Sequence, residues 1–453
     1  MCYRDHNIKF HWNIMEVLME TLDPEQLIHQ LTDARARTCA LIDQLSGEQL
    51  IGPRLATINP LRWEIGHVAY FYEYWVLRQL YQEPPIITDI DQLFDSIHIA
   101  HETRWDLDLP SLQDTLKYMR AVKDRVVAHF TNGKHDELRD YLVQYAIFHE
   151  DMHCEAFTYT RQTLEYPIPS MVTETSLNDL CEPINGDVDI PAGEFLLGAS
   201  PSETFMFDNE KWAHQQSVDA FKISRVAVCN QDYASFVNDS GYTRSEYWCE
   251  QGWKWRTDKN LQHPIYWRKS NNTLGWQVRW FNHWHDLQPD AAIIHVNWYE
   301  ANAYCRWANR RLPSELEWEV AASALPSADG KSLANNKRYF PWGSESCQSH
   351  RANLDGLTLG PISVYAKSQG DSAFGCRQML GNVWEWTSTT FAPYPGFTPD
   401  MYQDYSQPLF DKTKVLRGGC WATRSRLIRN TWRNYYGADR NDVFAGFRTC
   451  AID

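Results

Sequence analysis

The chain has 453 residues, a formal net charge of −15 and 43% hydrophobic residues. That length calls for two or more hydrophobic cores, and the acidic balance argues against a nucleic-acid binder, whose phosphate contacts need clustered Lys and Arg. No run of about 18 apolar residues offers a membrane span, so the expected partners are small molecules. Met1 to Glu20 scatters charges and histidines and lacks the apolar core of an export signal. The eleven cysteines include no CxxC and follow no regular spacing, which fits a reducing cytoplasm better than a disulfide framework or a zinc ribbon.

Four blocks open the chain with apolar residues recurring three and four apart: Pro24 to Leu45, Pro60 to Leu80, Ser111 to Phe130 and Asp136 to Leu164. This pattern predicts a four-helix bundle. Gly47 and Pro53 should end the first helix, and Asn59-Pro60 should start the second. A Pro-containing stretch, Tyr166 to Asp189, loses the periodicity and marks a domain join. The predicted division is a bundle over residues 1–168, a linker over 169–186 and a second domain over 187–453. The latter shows short apolar runs between Gly, Pro and Asn, with one good helix at Trp298 to Asn309, and reads as irregular α+β. Its crowd of tryptophans, Trp248, Trp253, Trp255, Trp267, Trp276, Trp280 and Trp284, is expected to fill a loop-rich core; an aromatic wall for a cationic ligand is the other reading.

The segment YAIFHEDMHCEAF, residues 145–157, carries the chemistry. Positions four apart on a helix differ by about 40° of rotation, so His149 and His153 share a face and can grip one ion. Glu155 lies roughly 200° from His153 on the same helix and points elsewhere. A third donor must then come from another helix. His67, inside the second predicted helix, is the best placed, with His98 and His101 as rivals on a probable loop. Three neutral imidazoles leave coordination positions open, which implies chemistry rather than stapling. Spacing alone does not choose among Fe(II), Zn(II), Ni(II) and Cu(II).

The second half contains IPAGEFLLGA, HVNWYEANAYCRWANRRLPSELEWEVAA, YFPWG, MLGNVWEWT, VLRGGCW and AGFRTC in that order. These phrases resemble the formylglycine-generating-enzyme/sulfatase-modifying-factor domain, a C-type-lectin-like fold. The first half, with NPLRWEIGH and HEDMHCE, resembles the DinB-like bundle that precedes that domain in the non-haem iron sulfoxide synthases of ergothioneine and ovothiol biosynthesis and their selenoneine-forming relatives. The fold class implied is α followed by α+β, and the resemblance spans nearly the whole chain.

The resemblance implies that His67, His149 and His153 hold Fe(II), and that O2 is consumed in joining a sulfur or selenium donor to imidazole C2 of hercynine or histidine. It places Tyr402 as the proton or hydrogen-atom donor, with Tyr405 beside it, and gives Arg104 and Arg440 the donor's carboxylate, a task suited to a planar fork of N–H groups. Four positions depart from the ergothioneine pattern. Met152 stands where a glutamine contacts the imidazole substrate, His101 where an additional arginine is found, and Tyr435-Tyr436 replaces Trp-Asp. A pocket for γ-glutamyl-cysteine is thereby altered. HEDMHCEAFTYTRQTLEYP with DSIHIAHETRWDLDLP looks closer to the selenoneine branch, whose donor is a selenosugar; cysteine or another simple thiol is the competing donor. Three rivals remain: formylglycine generation, for which VLRGGCWATRSRLIRN lacks the necessary cysteine pair; a zinc-dependent thiol transferase; and a non-catalytic lectin-like binding module.

Overall fold

The computed structural model describes residues 23–132, 136–171 and 182–452. The expectation about Met1 to Glu20, and the middle of the predicted linker, lie outside the described residues. The first half is helical: α1 (Pro24–Ile42), α2 (Gly47–Ile51), α3 (Leu61–Tyr72), α4 (Asp91–Phe94), α5 (Leu112–Asn132) and α6 (Glu137–Thr163). The long helices begin where the chain supplies caps. Asp23 accepts from Glu25 N ahead of Pro24, and Asp136 accepts from the amides of Leu138 and Arg139, each cap satisfying otherwise orphaned donors of a first turn. Helix α1 packs on α6, and α3 lies between α5 and α6. Leu27, Leu31, Val68, Val122, Val143 and Phe157 are fully buried in the core they share.

Two expectations for this half need correction. Helix α1 stops at Ile42, because Gln44 adopts a left-handed conformation (φ 65°) that breaks the ladder. Gly47 then opens α2 rather than closing α1, since Ser46 and Gln49 form a reciprocal capping box. The second predicted helix is not uniform either: beyond Tyr72 it continues to Leu80 with the wider turns of a π-helix. There the buried Glu73 accepts from Tyr118 Oη and from Ile86 N at 2.6 Å.

The second half is sheet-rich but loop-dominated. One sheet runs Arg433–Tyr436, Lys414–Arg417, Trp384–Thr390, Ala445–Gly446, with only the last pair parallel. Another runs Asp187–Ile190, Phe221–Ser224, Cys450–Ala451, Arg310–Arg311. Besides the helix at Trp298–Trp307, this half holds helices Asn230–Asn238, Glu250–Asp258 and Glu315–Ser323, so the expectation of one good helix was too few. Each has nine residues, too short for a periodicity to stand out. The capping box Ser314–Glu317 was nevertheless readable in LPSELEWEV. Trp248, Trp267 and Trp276 are buried in the core as expected of the tryptophan-rich segment. Where loops provide no backbone ladder, buried guanidinium groups take its place: Arg417 donates to Glu315 and Glu319, Arg433 to Glu315 and the Asn209 carbonyl, and Arg448 to Glu385.

The two halves meet along α6. Asp151, buried, receives Arg426 bidentately at 2.6 and 2.7 Å. Asp33 of α1 receives both Arg424 and Arg426, at 2.5 and 2.7 Å. Glu155 accepts from Trp384 Nε1 at 2.7 Å and from Thr423 Oγ1 at 2.6 Å, so it faces the second half, away from the histidine face of α6. Gln162 closes the seam further along through the backbone of Arg279 and Phe281. Replacing Arg426 by Ala leaves the Asp151 carboxylate buried without its counter-charge, a loss of about 3 kcal/mol. The expected outcome is a lower unfolding midpoint for Arg426→Ala, read by thermal or denaturant melts of the full chain. The double replacement Asp151→Leu/Arg426→Met should recover much of it.

Candidate metal centre

His67 on α3 and His149 and His153 on α6 converge. One nitrogen of each lies within 4.8 Å of the others, and the ring centroids are 5.1, 5.1 and 4.5 Å apart. The i,i+4 pair comes from the geometry of α6 alone; His67 is supplied by the packing of α3 against it. His67 and His149 are buried, whereas the His153 side chain keeps 20% of its surface exposed.

The nitrogens turned away from the cluster are largely engaged. His67 Nδ1 donates to the Phe94 carbonyl at 2.9 Å, which leaves its Nε2 lone pair free. His153 Nδ1 donates to Glu64 Oε1 at 2.6 Å. His149 Nδ1 is buried with no hydrogen-bond partner. Burial, reinforced by the neighbouring His153 ring, pushes the His67 and His149 imidazoles well below their ordinary pKa, so both stay neutral, the form that ligates a cation. Three neutral imidazoles, two of them oriented by an acceptor on the far nitrogen, fit a divalent transition metal. Gly66 makes part of this possible, because a Cβ there would lie 2.2 Å from the Phe94 ring and displace the residue whose carbonyl holds His67.

Aromatic rings wall the cluster. Trp63 stacks on His67 with centroids 4.8 Å apart and planes 9° from parallel, and the Arg104 guanidinium lies over the Trp63 ring at 4.0 Å. Phe71 stacks on His149 at 3.9 Å. Tyr402, from the second half, stands edge-on to Phe71 at 5.2 Å and to His149 at 6.1 Å. Burial raises the Tyr402 phenol above its ordinary pKa, keeping it protonated at neutral pH.

The other sequence-predicted residues occupy defined places around this core. Met152 presents its sulfur to Tyr405 Oη at 3.6 Å, and Tyr435 Oη donates to the Tyr405 carbonyl. Arg440 is paired bidentately with Asp442 at 2.6 and 2.8 Å and lies 5.2 Å from the Tyr436 ring. Arg104 donates to Asn59 Oδ1 at 2.7 Å, and its Nε is buried without a partner. His101 is not gathered into the cluster: its Nε2 donates to the Ile58 carbonyl at 2.6 Å. His98 is engaged by Asp95 at 2.7 Å, with 79% of its side chain exposed. Neither rival third donor joins the trio. Sequence reasoning missed Glu64 and Phe94. Glu64 had a signal, since a carboxylate three residues before His67 shares its helix face; Phe94 had none, since only its backbone carbonyl acts.

Two protein families match successive parts of the chain. Residues 8–156 match the DinB superfamily, and residues 174–452 match the sulfatase-modifying factor enzyme 1-like domain family. The chain is 34% identical over 433 residues to the hercynine oxygenase of Mycolicibacterium smegmatis, covering 94% of this chain and 98% of that one. It is 35% identical, with the same coverage, to the hercynine oxygenase of Mycobacterium tuberculosis. The chain belongs to the hercynine oxygenase family, the sulfoxide synthases of ergothioneine biosynthesis. The formylglycine-generating enzyme of Streptomyces coelicolor is 29% identical and aligns with only 63% of this chain. In this family member Cys420, the cysteine of VLRGGCW, is buried with its thiol 3.4 Å from Thr423 Oγ1, which also holds Glu155. It is thus part of the seam between the halves.

A divalent transition metal titrated into the apoprotein should bind one per chain. Glu64→Gln is expected to weaken that binding about 10- to 100-fold, because the acceptor that orients His153 loses its charge. His67→Ala should weaken it further, and calorimetry or competition with a chromogenic chelator measures both.

Proposed function

We propose that the chain is an O2-dependent non-haem Fe(II) enzyme that joins a sulfur or selenium donor to imidazole C2 of hercynine. In outline, a thiol or selenol R–XH, the imidazole C2–H and O2 give the C2–X(=O)–R product and water, which balances atoms and electrons. The observation that carries this reading is the convergence of His67 with the His149/His153 pair beside a half-buried, protonated Tyr402. Iron held there would supply the oxidising power that an unactivated C2–H bond demands.

The chain's own residues do the rest. Glu64 and the Phe94 carbonyl orient His153 and His67. Tyr402 offers an O–H at the edge of the trio, the position a general acid needs. Arg104 lies over the Trp63 ring that stacks on His67, and Tyr405, Tyr435 and Tyr436 stand on the second half, with Met152 of α6 meeting Tyr405. Met152 cannot donate to an imidazole nitrogen, so recognition of that ring falls to other groups. Asp442 takes the Nε and Nη2 donors of Arg440. A donor without a carboxylate, such as a selenosugar, makes no demand on that guanidinium, whereas the carboxylate of cysteine would have to share it with Asp442 through the Nη1 side; this favours the selenosugar.

In keeping with this function, we read the helical half as a DinB-like four-helix bundle and the second half as C-type-lectin-like, joined near residues 169–186. Free thiols at all nine described cysteines suit a reducing cytoplasm.

Iron-loaded protein given hercynine, O2 and either a selenosugar or cysteine should consume O2 and yield a heavier imidazole product, faster with the selenosugar. Turnover with zinc and without O2 would instead mark a thiol transferase, and silence with every donor a binding module. Tyr402→Phe is expected to lower the rate about 10²- to 10⁴-fold while metal binding stays within twofold of the parent.

A further inference from the structure

A small cavity opens beside the trio, lined by the helical half except for Tyr402 of the second half; neither Arg440 nor Tyr436 lines it. Tyr70, Phe71, Tyr74, Trp75 and Ile97 line it, and His67 and Tyr402 form its inner end. Its volume is about 40 Å³. That exceeds the ~10–15 Å³ one water molecule needs but is far below the ~300–1,000 Å³ of sites for organic ligands. Hercynine or a sugar does not fit; a diatomic molecule does.

The lining is mostly carbon, and its polar groups are turned onto one another. Asp95 accepts from the Ile97 amide at 2.9 Å and from His98 Nδ1 at 2.7 Å. Ser96 Oγ meets Tyr402 Oη at 3.5 Å. What faces the space is therefore ring and aliphatic surface, which holds water poorly and accepts apolar gases. The outer end reaches solvent at Ile97 and His98, whose exposures are 50% and 79%. A path of this kind leads from solvent to one metal-binding imidazole and the phenol opposite it.

We propose that this cavity is the entry and holding site for O2, separate from the route by which the organic substrates arrive. The proposal rests on the O2-dependent function above. Its consequence is that O2 and the organic substrates can be perturbed independently. Ile97 is half-exposed and is assigned no part in chemistry or metal binding, so Ile97→Trp narrows the mouth of the cavity without removing a ligand or the Tyr402 phenol. Trp75→Ala enlarges it.

The test has two readouts. In crystals of the full chain under xenon pressure, a xenon atom should occupy the space between Trp75, Ile97 and Tyr402, and Ile97→Trp should abolish it. In steady-state oxygen uptake by the iron-loaded enzyme, Ile97→Trp should raise KM for O2 at least fivefold while KM for hercynine and for the donor stays within twofold. Trp75→Ala should not raise KM for O2. No xenon in the cavity, an unchanged KM for O2 in Ile97→Trp, or a parallel rise of all three constants would overturn the route. A parent enzyme that takes up no O2 would instead overturn the function on which it rests, and xenon would still report whether the cavity admits an apolar gas.

Discussion

The site depends on holding two helices at a fixed separation and rotation, so that one imidazole of α3 meets a pair on α6. A cluster of neutral histidines in a low-dielectric interior has no intrinsic attraction, and bringing such groups together costs desolvation. The structure offsets that cost with acceptors. Phe94 O and Glu64 take the outward N–H groups of His67 and His153, and Trp63 and Phe71 cover the faces of His67 and His149. The geometry a metal would need is thereby largely built into the protein matrix.

Helix α6 shows how much one helical segment can be asked to do. Over residues 149–155 its side chains go in four directions: His149 and His153 to the cluster, Glu150 to Arg35 and Thr38 of α1, Asp151 and Glu155 to the second half, Met152 to Tyr405. Successive side chains on a helix are about 100° apart, so this sharing needs partners on nearly every side. The second half provides them through Thr423, Arg426 and Trp384. Its loop-rich chain is itself braced by buried Arg–Glu pairs, so the wall opposite the histidines stands on a rigid base.

The electrostatic character of the site follows from the same burial. Desolvation keeps His67 and His149 neutral and Tyr402 protonated, so lone pairs for a cation and a proton for an oxygen sit side by side. Arg440 and Arg104, to which the family resemblance gives the donor's carboxylate, already have partners in part: Asp442 holds Arg440, and Asn59 and the Trp63 ring hold Arg104.

The long helices, the same-face pair His149/His153 and the outward turn of Glu155 were legible in the sequence, because each follows from the fixed rotation per residue of an α-helix. Short helices escaped notice, since nine residues span too few turns to show a period, and the early end of α1 turned on the conformation of the single residue Gln44. His67 was already preferred over His98 and His101 in the sequence, as a histidine inside a neighbouring helix, but its convergence with the pair came only from the tertiary structure, because distance across helices is set by core packing rather than by spacing along the chain. The same holds for the carbonyl of Phe94, the Glu64–His153 contact and the pairing of Arg440 with Asp442. A backbone acceptor has no residue type to betray it, and an arginine's partner is decided by whichever carboxylate the fold brings near.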